Sequence, residues 1–401
     1  MVALLLALAA GCYDARPALD SGGLPWNFGG AGLVPAADGG DAAPGSGGGL
    51  GAAGEEPLAA DAGTDNQGAA AGSGAAPRSP FPALNSDPLA PVPVWPEPNL
   101  RVAFIGDQGL GIGAWQVLKL IAREKPALVV QLGDLSYGQA DPLGWEANIN
   151  EVLGRSFPYV VAAGNHDLDD WNGTDGFAEV LRARLARTPG LRCDGELGIK
   201  SLCRYRGLEL VVSGVGSTGS DHEWYLERML ARPGALVRLC AWHKNQHDMQ
   251  VGSKRDEVGW AAYQICARHG APIFTGHEHS YSRTYTLRAP GDRARAHGAV
   301  GRPDLLELGP DRTFVVVSGL GGQTSRIRTP DHAGDTWWAS IYARDYQMQN
   351  GVLDGTEHDI PWGALFIDFH VDGDPLKARG YFMTTDNQVV DRFELHFSPR
   401  G

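Results

Sequence analysis

Five short apolar runs in this chain end alike, each running into a polar stretch that carries Asp, Asn or His. LRVAFI leads to GDQG, PALVVQL to GDLSY, PYVVAA to GNHD, ALVRLCA to WH, and APIFT to GHEH. Apolar runs without polar alternation suit strands buried on both faces. Between them lie segments of helical period: IGAWQVLKLIAREK, DHEWYLERMLARPG and WAAYQICARHG. Strands alternating with helices predict an α/β architecture, and in such folds the crevice at the carboxyl ends of the strands receives ligands. LELVVSG and TFVVVSGLGG read as further strands. WGALFIDFHV, ARGYFMTT and VVDRFELHF then follow one another with no helix between. Antiparallel pairing is expected there, and so mixed sheets.

The strand ends supply Asp107, Asp134, Asn165, His243, His277 and His279, with Tyr137 three residues after Asp134. Carboxylates and imidazoles are ordinary ligands of first-row transition metals. Asp134 has two oxygens and can bridge two ions. Two metals about 3.5–4 Å apart clamp a phosphoryl group and acidify a bound water. GDQG alone reads equally well as a turn. GHEH says more, because two histidines one residue apart reach one metal cluster from a tight turn. The ordered set carries the inference.

That ordered set resembles the calcineurin-like metallophosphoesterase superfamily, and within it the purple acid phosphatase branch, with motifs GDxG, GDxxY, GNH followed by Asp or Glu, VxxH and GHxH. The resemblance spans roughly residues 99–320 by motif. It implies a metallophosphoesterase-type β-sandwich of mixed sheets flanked by helices. It implies two transition-metal ions: iron held by Asp107, Tyr137 and His279, and iron, zinc or manganese held by Asn165, His243 and His277, with Asp134 bridging. His166 would be the general acid or substrate-orienting group, with Asp167 steering its ring. Gly109 stands where many relatives place a ligand histidine, and Tyr137 fills that role in the branch. Cys240 replaces the valine of VxxH. The implied activity is hydrolysis of small phosphomonoesters by metal-bound hydroxide. Phosphodiesterase or nucleotidase chemistry, or a noncatalytic surface-binding lipoprotein, are the alternatives. His247, Tyr281 and Arg283 are candidate pocket residues.

The remaining sequence sets context. Residues 2–11, VALLLALAAG, form an apolar run too short to span a bilayer, and Cys12 follows. ALAAGC resembles a bacterial lipobox, so residues 1–17 read as a signal peptide and lipidated-cysteine region anchored at Cys12. The expected location is exported, on the outer membrane, facing periplasm or cell surface; an ordinary secretory signal, or a misassigned start in a cytoplasmic protein, are the other readings. Residues 18–97 are Gly/Ala/Pro-rich with few aromatic or β-branched side chains, and read as a disordered tether. Residues 98–401 are then the catalytic domain. The net charge of −13 argues against a stable nucleic-acid complex; the sequence leaves any protein partner unknown. Beyond Cys12, Cys193, Cys203, Cys240 and Cys266 allow three complete pairings. The local pair Cys193–Cys203 is the easiest, leaving Cys240 with Cys266; four buried thiols are the alternative. SGLGGQT lacks a nucleotide-binding continuation and reads as a turn beside the pocket. Trp337, Trp338, Tyr342 and Tyr346 read as core packing, as an aromatic wall beside the substrate or as an oligomer interface.

Overall fold

The computed structural model describes residues 96–138, 141–355 and 360–399. The expected signal peptide, Cys12 and the tether up to residue 95 lie outside the described residues.

Strands β1 (Leu100–Ile105), β2 (Leu128–Gln131) and β3 (Tyr159–Val161) lie side by side in parallel. On its other side β1 pairs antiparallel with Gly363–Phe369, followed by Lys377–Thr384 and Val389–Phe397. Leu305–Leu308 closes that edge, giving a seven-stranded mixed sheet. The helix-free stretch near the end of the sequence thus pairs antiparallel, as its pattern predicts.

Among the described residues the second sheet has ten strands. Its centre is parallel: Leu208–Ser213, Val237–Ala241, Ile273–Thr275 and Val315–Ser318. Antiparallel strands extend both flanks, beginning with Lys200–Tyr205 on one side and Tyr281–Thr284 on the other.

Alternate side chains of each strand face opposite layers, and both layers are apolar. Val102 and Phe104 join Leu210, Val212, Phe274 and Val316 between the sheets. Ala103 and Ile105 point the other way, toward Val117, Leu118 and Ile121 of helix α1 (Ile112–Glu124). Helices His222–Ala231 and Ala261–Arg268 cover the outer face of the second sheet through Leu226, Leu230 and Ile265. The result is a helix–sheet–sheet–helix sandwich. The rings of Phe104 and Phe274 stack at 4.2 Å between the two sheets.

Two helices were not anticipated, Pro142–Val152 and Phe177–Ala186. The first has a legible start: Pro142 opens it, and the Asp141 carboxylate accepts from Gly144 N at 2.8 Å. Its apolar face is reduced to Trp145 and Ile149, too thin a stripe for periodicity to detect.

Both cysteine pairs form disulfides. Cys193 and Cys203 sit opposite each other across neighbouring strands, and Cys240–Cys266 ties a central strand to the helix that covers it. Trp337, Trp338 and Tyr342 are buried in core clusters, and Arg328 lies 4.3 Å over the ring of half-buried Tyr346. The aromatic segment packs the core.

Candidate metal centre

The site is assembled where strands of both sheets end. β1, β2 and β3 of the first sheet deliver Asp107, Asp134 with Tyr137, and Asn165 with His166. Val237–Ala241 and Ile273–Thr275 of the second deliver His243, His277 and His279. The chain turns sharply at each exit. Asp107, Asp134 and His277 adopt left-handed backbone, with φ of 59°, 53° and 70°. That conformation costs a non-glycine residue roughly 1–2 kcal/mol. Backbone bonds between the turns hold it: Asp107 N donates to Gly133 O, Gln108 N to Asp134 O, and Gly276 N to His243 O, each at 3.0 Å.

Two glycines make room. A Cβ on Gly133 would fall 2.5 Å from His243 Nδ1, at a φ of 89° that itself favours glycine. A Cβ on Gly164 would fall 2.1 Å from both the backbone N and Oδ1 of Asp134. The Gly-Asp and Gly-Asn pairs therefore reflect close approach between strand ends.

The polar side chains form two adjoining groups. In the first, Tyr137 Oη donates to Asp107 Oδ1 at 2.9 Å and lies 3.2 Å from His279 Nε2, which is 3.5 Å from Asp107 Oδ1. In the second, His243 Nε2 lies 3.2 Å from each of Asp134 Oδ2, Asn165 Oδ1 and His277 Nδ1. Asp134, His243 and His277 each offer one ligand atom, all within 4.8 Å of one another.

Each imidazole is oriented from outside its group. His243 Nδ1 donates to Leu132 O at 2.7 Å, His279 Nδ1 to Thr324 O at 3.0 Å, and His277 Nε2 to Glu257 Oε2 at 2.7 Å. Those partners only accept, so the ring nitrogen facing them carries the proton. A neutral ring then turns a lone pair inward, the arrangement that metal-binding histidines adopt.

Burial opposes a charge on His243, but the carboxylates of Asp134 and Asp107 outweigh it and push it up to about 9. Burial, reinforced by Asp107 and Asp134, drives the Tyr137 phenol well above its ordinary range. His277 is taken down to about 4 by burial, with Glu257 opposing and His243 adding to the effect. The two aspartates make the cluster a place for positive charge. A bound cation would favour ionised Tyr137 and neutral His243. The donor set and its orientation fit two transition-metal ions.

His166 is exposed at the mouth, its ring 4.6 Å from that of Tyr137, and its backbone N donates to Asp134 Oδ1 at 3.0 Å. Asp167 differs from expectation. Its carboxylate is fully buried and accepts from Leu135 N at 2.7 Å and Gly164 N at 2.8 Å. Both oxygens brace the turns that carry Asp134 and Asn165, so Asp167 does not steer the His166 ring.

Tyr281 and Arg283 also differ. Both are fully buried and meet Asp391, at 2.6 Å from Tyr281 Oη and at 2.7 and 2.9 Å from the Arg283 guanidinium. Tyr281 stacks on Phe382 at 4.2 Å and Arg283 lies over Phe393. They form a polar knot in the core, not a pocket wall. They begin a strand directly after GHEHS, and nearness in sequence to the ligands suggested a pocket that the strand direction rules out. His247 is half-buried and donates from Nδ1 to Lys254 O at 2.9 Å, holding a loop beside the site. The SGLGGQT turn docks by backbone bonds, Gly321 N to Gly106 O at 2.9 Å and Gln323 N to Asp107 O at 3.1 Å.

Glu257 escaped the sequence reading. It lies in the charged loop SKRDEVG, where nothing distinguishes it from a solvated carboxylate until the fold brings it to His277.

Residues 100–281 match the family model for calcineurin-like phosphoesterases. The fold is similar to that of a purple acid phosphatase from yellow lupin (Lupinus luteus) seeds, at a TM-score of 0.52 and 16% identity over 76% of this chain. The alignment spans 55% of the lupin chain, about half its length. Other similar structures are PhoD, at TM-score 0.42 and 12% identity over 73% of this chain and 68% of that one, and a dimetal phosphatase from Danio rerio, at 0.38 and 12% over 75% and 100%. No curated protein sequence matches the chain.

Proposed function

We propose that the chain is a phosphomonoesterase of the purple acid phosphatase type, working with two metal ions. The observation that carries this reading is the pair of adjoining donor groups, with three imidazoles turned inward by acceptors outside them. Asp107, Tyr137 and His279 would hold one ion, Asn165, His243 and His277 the other, and Asp134 would bridge them. The ions, when bound, supply Lewis acidity and an activated water. Tyr137 as a phenolate favours iron at the first position; iron, zinc or manganese suits the second.

His166 occupies the exposed mouth, where a leaving group would emerge. As the P–O bond breaks, the leaving oxygen departs with the electron pair and takes a proton from the His166 ring. Metal analysis and turnover of the full chain, purified without chelator, test the reading together. About two transition-metal ions per chain, one of them iron, with hydrolysis of 4-nitrophenyl phosphate exceeding that of its diester, are expected. Two zinc or manganese ions would remove iron from the reading. A faster diester would replace the monoesterase assignment, and neither metal nor turnover after reconstitution would leave a binding protein.

We also propose export and anchoring through a lipidated Cys12. Two disulfides suit an oxidising compartment. Cys12→Ala should abolish labelling by radioactive palmitate and release the protein from membranes; retained labelling would refute the anchor.

A further inference from the structure

Beside the two donor groups lies a buried carboxylate whose surroundings the metal reading does not explain. Glu278, between His277 and His279, is fully buried, and neither carboxylate oxygen has a hydrogen bond among the described residues. The chain passes close to it at Gly252, where a Cβ would fall 2.2 Å from Glu278 Oε1. A buried carboxylate left without partners is costly unless cations stand near it.

Two cations do. The Arg326 guanidinium is 3.9 Å from Glu278 Oε2 and 38% exposed. Its backbone N donates to His279 O at 2.9 Å, which fixes this segment against the first donor group. Lys254, two residues after Gly252, is half-buried, and its ammonium makes no ion pair or hydrogen bond among the described residues. Its carbonyl is held by His247 Nδ1 at 2.9 Å and Gln250 Nε2 at 3.0 Å. Burial and Arg326 lower its proton affinity, while Glu278, Asp107 and Glu257 act to raise it. The close pass of Gly252 at Glu278 brings the segment that carries Lys254 to this side of the centre.

Resting on the phosphoesterase reading above, we propose that Lys254 and Arg326, set in place by Glu278, form an anion subsite at the rim of the metal centre. It takes a negatively charged group carried by the leaving portion of the substrate, a carboxylate or a second phosphate. Glu278 is a positioning residue: its buried carboxyl draws Arg326 to the centre, and the donors that both cations keep would meet the anionic group of the substrate. Neither cation has a carboxylate within hydrogen-bond range among the described residues, so both keep donors for an anionic ligand.

The test compares three substrates with the metal-loaded full chain: 4-methylphenyl phosphate, whose leaving group is neutral, and 4-carboxyphenyl phosphate and inorganic pyrophosphate, whose leaving groups are anionic. In Lys254→Met/Arg326→Met the ratio of kcat/KM for an anionic substrate to that for the neutral one should fall at least tenfold. Arg326→Lys, which keeps the charge, should fall less. The carboxylate and pyrophosphate arms tell which anion the subsite takes. Calorimetric binding of pyrophosphate should weaken at least tenfold in the double variant, relative to that of inorganic phosphate. Unchanged ratios, or an equal loss on all three substrates, would overturn the subsite while leaving the phosphoesterase reading intact. Failure of the wild-type chain to hydrolyse any of them would overturn both.

Discussion

His277 Nε2 stands 2.7 Å from Glu257 Oε2, and the contact turns the ring so that Nδ1 faces His243 Nε2 at 3.2 Å. A loop carboxylate thereby aims a candidate ligand. Glu257 also pairs with Lys244, so it is itself held in place.

Glu257→Ala should loosen metal at the second position by about 10–100-fold, the scale for partners that orient metal-binding histidines. Competition with a chelator measures it; unchanged affinity would show that the His277 ring needs no external brace. The contact should also survive in acid. Burial opposes ionisation of Glu257, but hydrogen bonds from His277 and Lys244 outweigh it and bring it down to about 2. Because the folded value lies below the ordinary 4.5, its stabilisation is complete above about pH 4.5 and lost as pH falls toward 2.

Asp134→Asn is the cleaner test of the bridging ligand. Asp134 sits at a φ of 53°, which Asn tolerates better than Ala, so the backbone should hold while the charge is lost. Turnover should fall by roughly 10³-fold or more, the upper range for losing one preorganised electrostatic group. Near-wild-type turnover would remove Asp134 from the metal assignment.

Tyr137→Phe should abolish any visible charge-transfer absorption of the iron-loaded protein while leaving its circular dichroism unchanged. The hydroxyl meets polar groups of the site, Asp107 at 2.9 Å and His279 at 3.2 Å, so a packing defect is not expected. Persistence of the band would place the colour on another ligand.

Arg283→Ala should act on stability. It strands the fully buried Asp391 carboxylate, and breaking such a pair costs about 3–5 kcal/mol. Urea unfolding should show that loss. An altered substrate preference at unchanged stability would restore Arg283 to the pocket.

Much of the fold is legible because strands buried on both faces leave uninterrupted apolar runs, as in Leu128–Gln131 and Val315–Ser318. Strand Arg192–Glu196, mostly exposed at a sheet edge, has no such pattern and is invisible until Cys193 pairs with Cys203. The same contrast holds at the site. Ligand candidates at strand ends stand next to their signal in sequence. Glu257, Lys254 and Arg326 lie on loops whose positions depend on tertiary contacts, and local composition cannot report those. Tyr281 and Arg283 show the converse: adjacency to a motif misleads when the chain re-enters the core.

The candidate ligands are divided between the two sheets: Asp107, Asp134, Tyr137 and Asn165 belong to one, His243, His277 and His279 to the other. Bound ions would therefore act as rivets across the sandwich. Any sliding of one sheet over the other would change the gap between His243 and Asp134, now 3.2 Å. Metal affinity becomes a gauge of sheet alignment, sensitive to residues remote from the centre such as the stacked pair Phe104 and Phe274. Wear in the hydrophobic seam would be felt first as a loosened grip on metal.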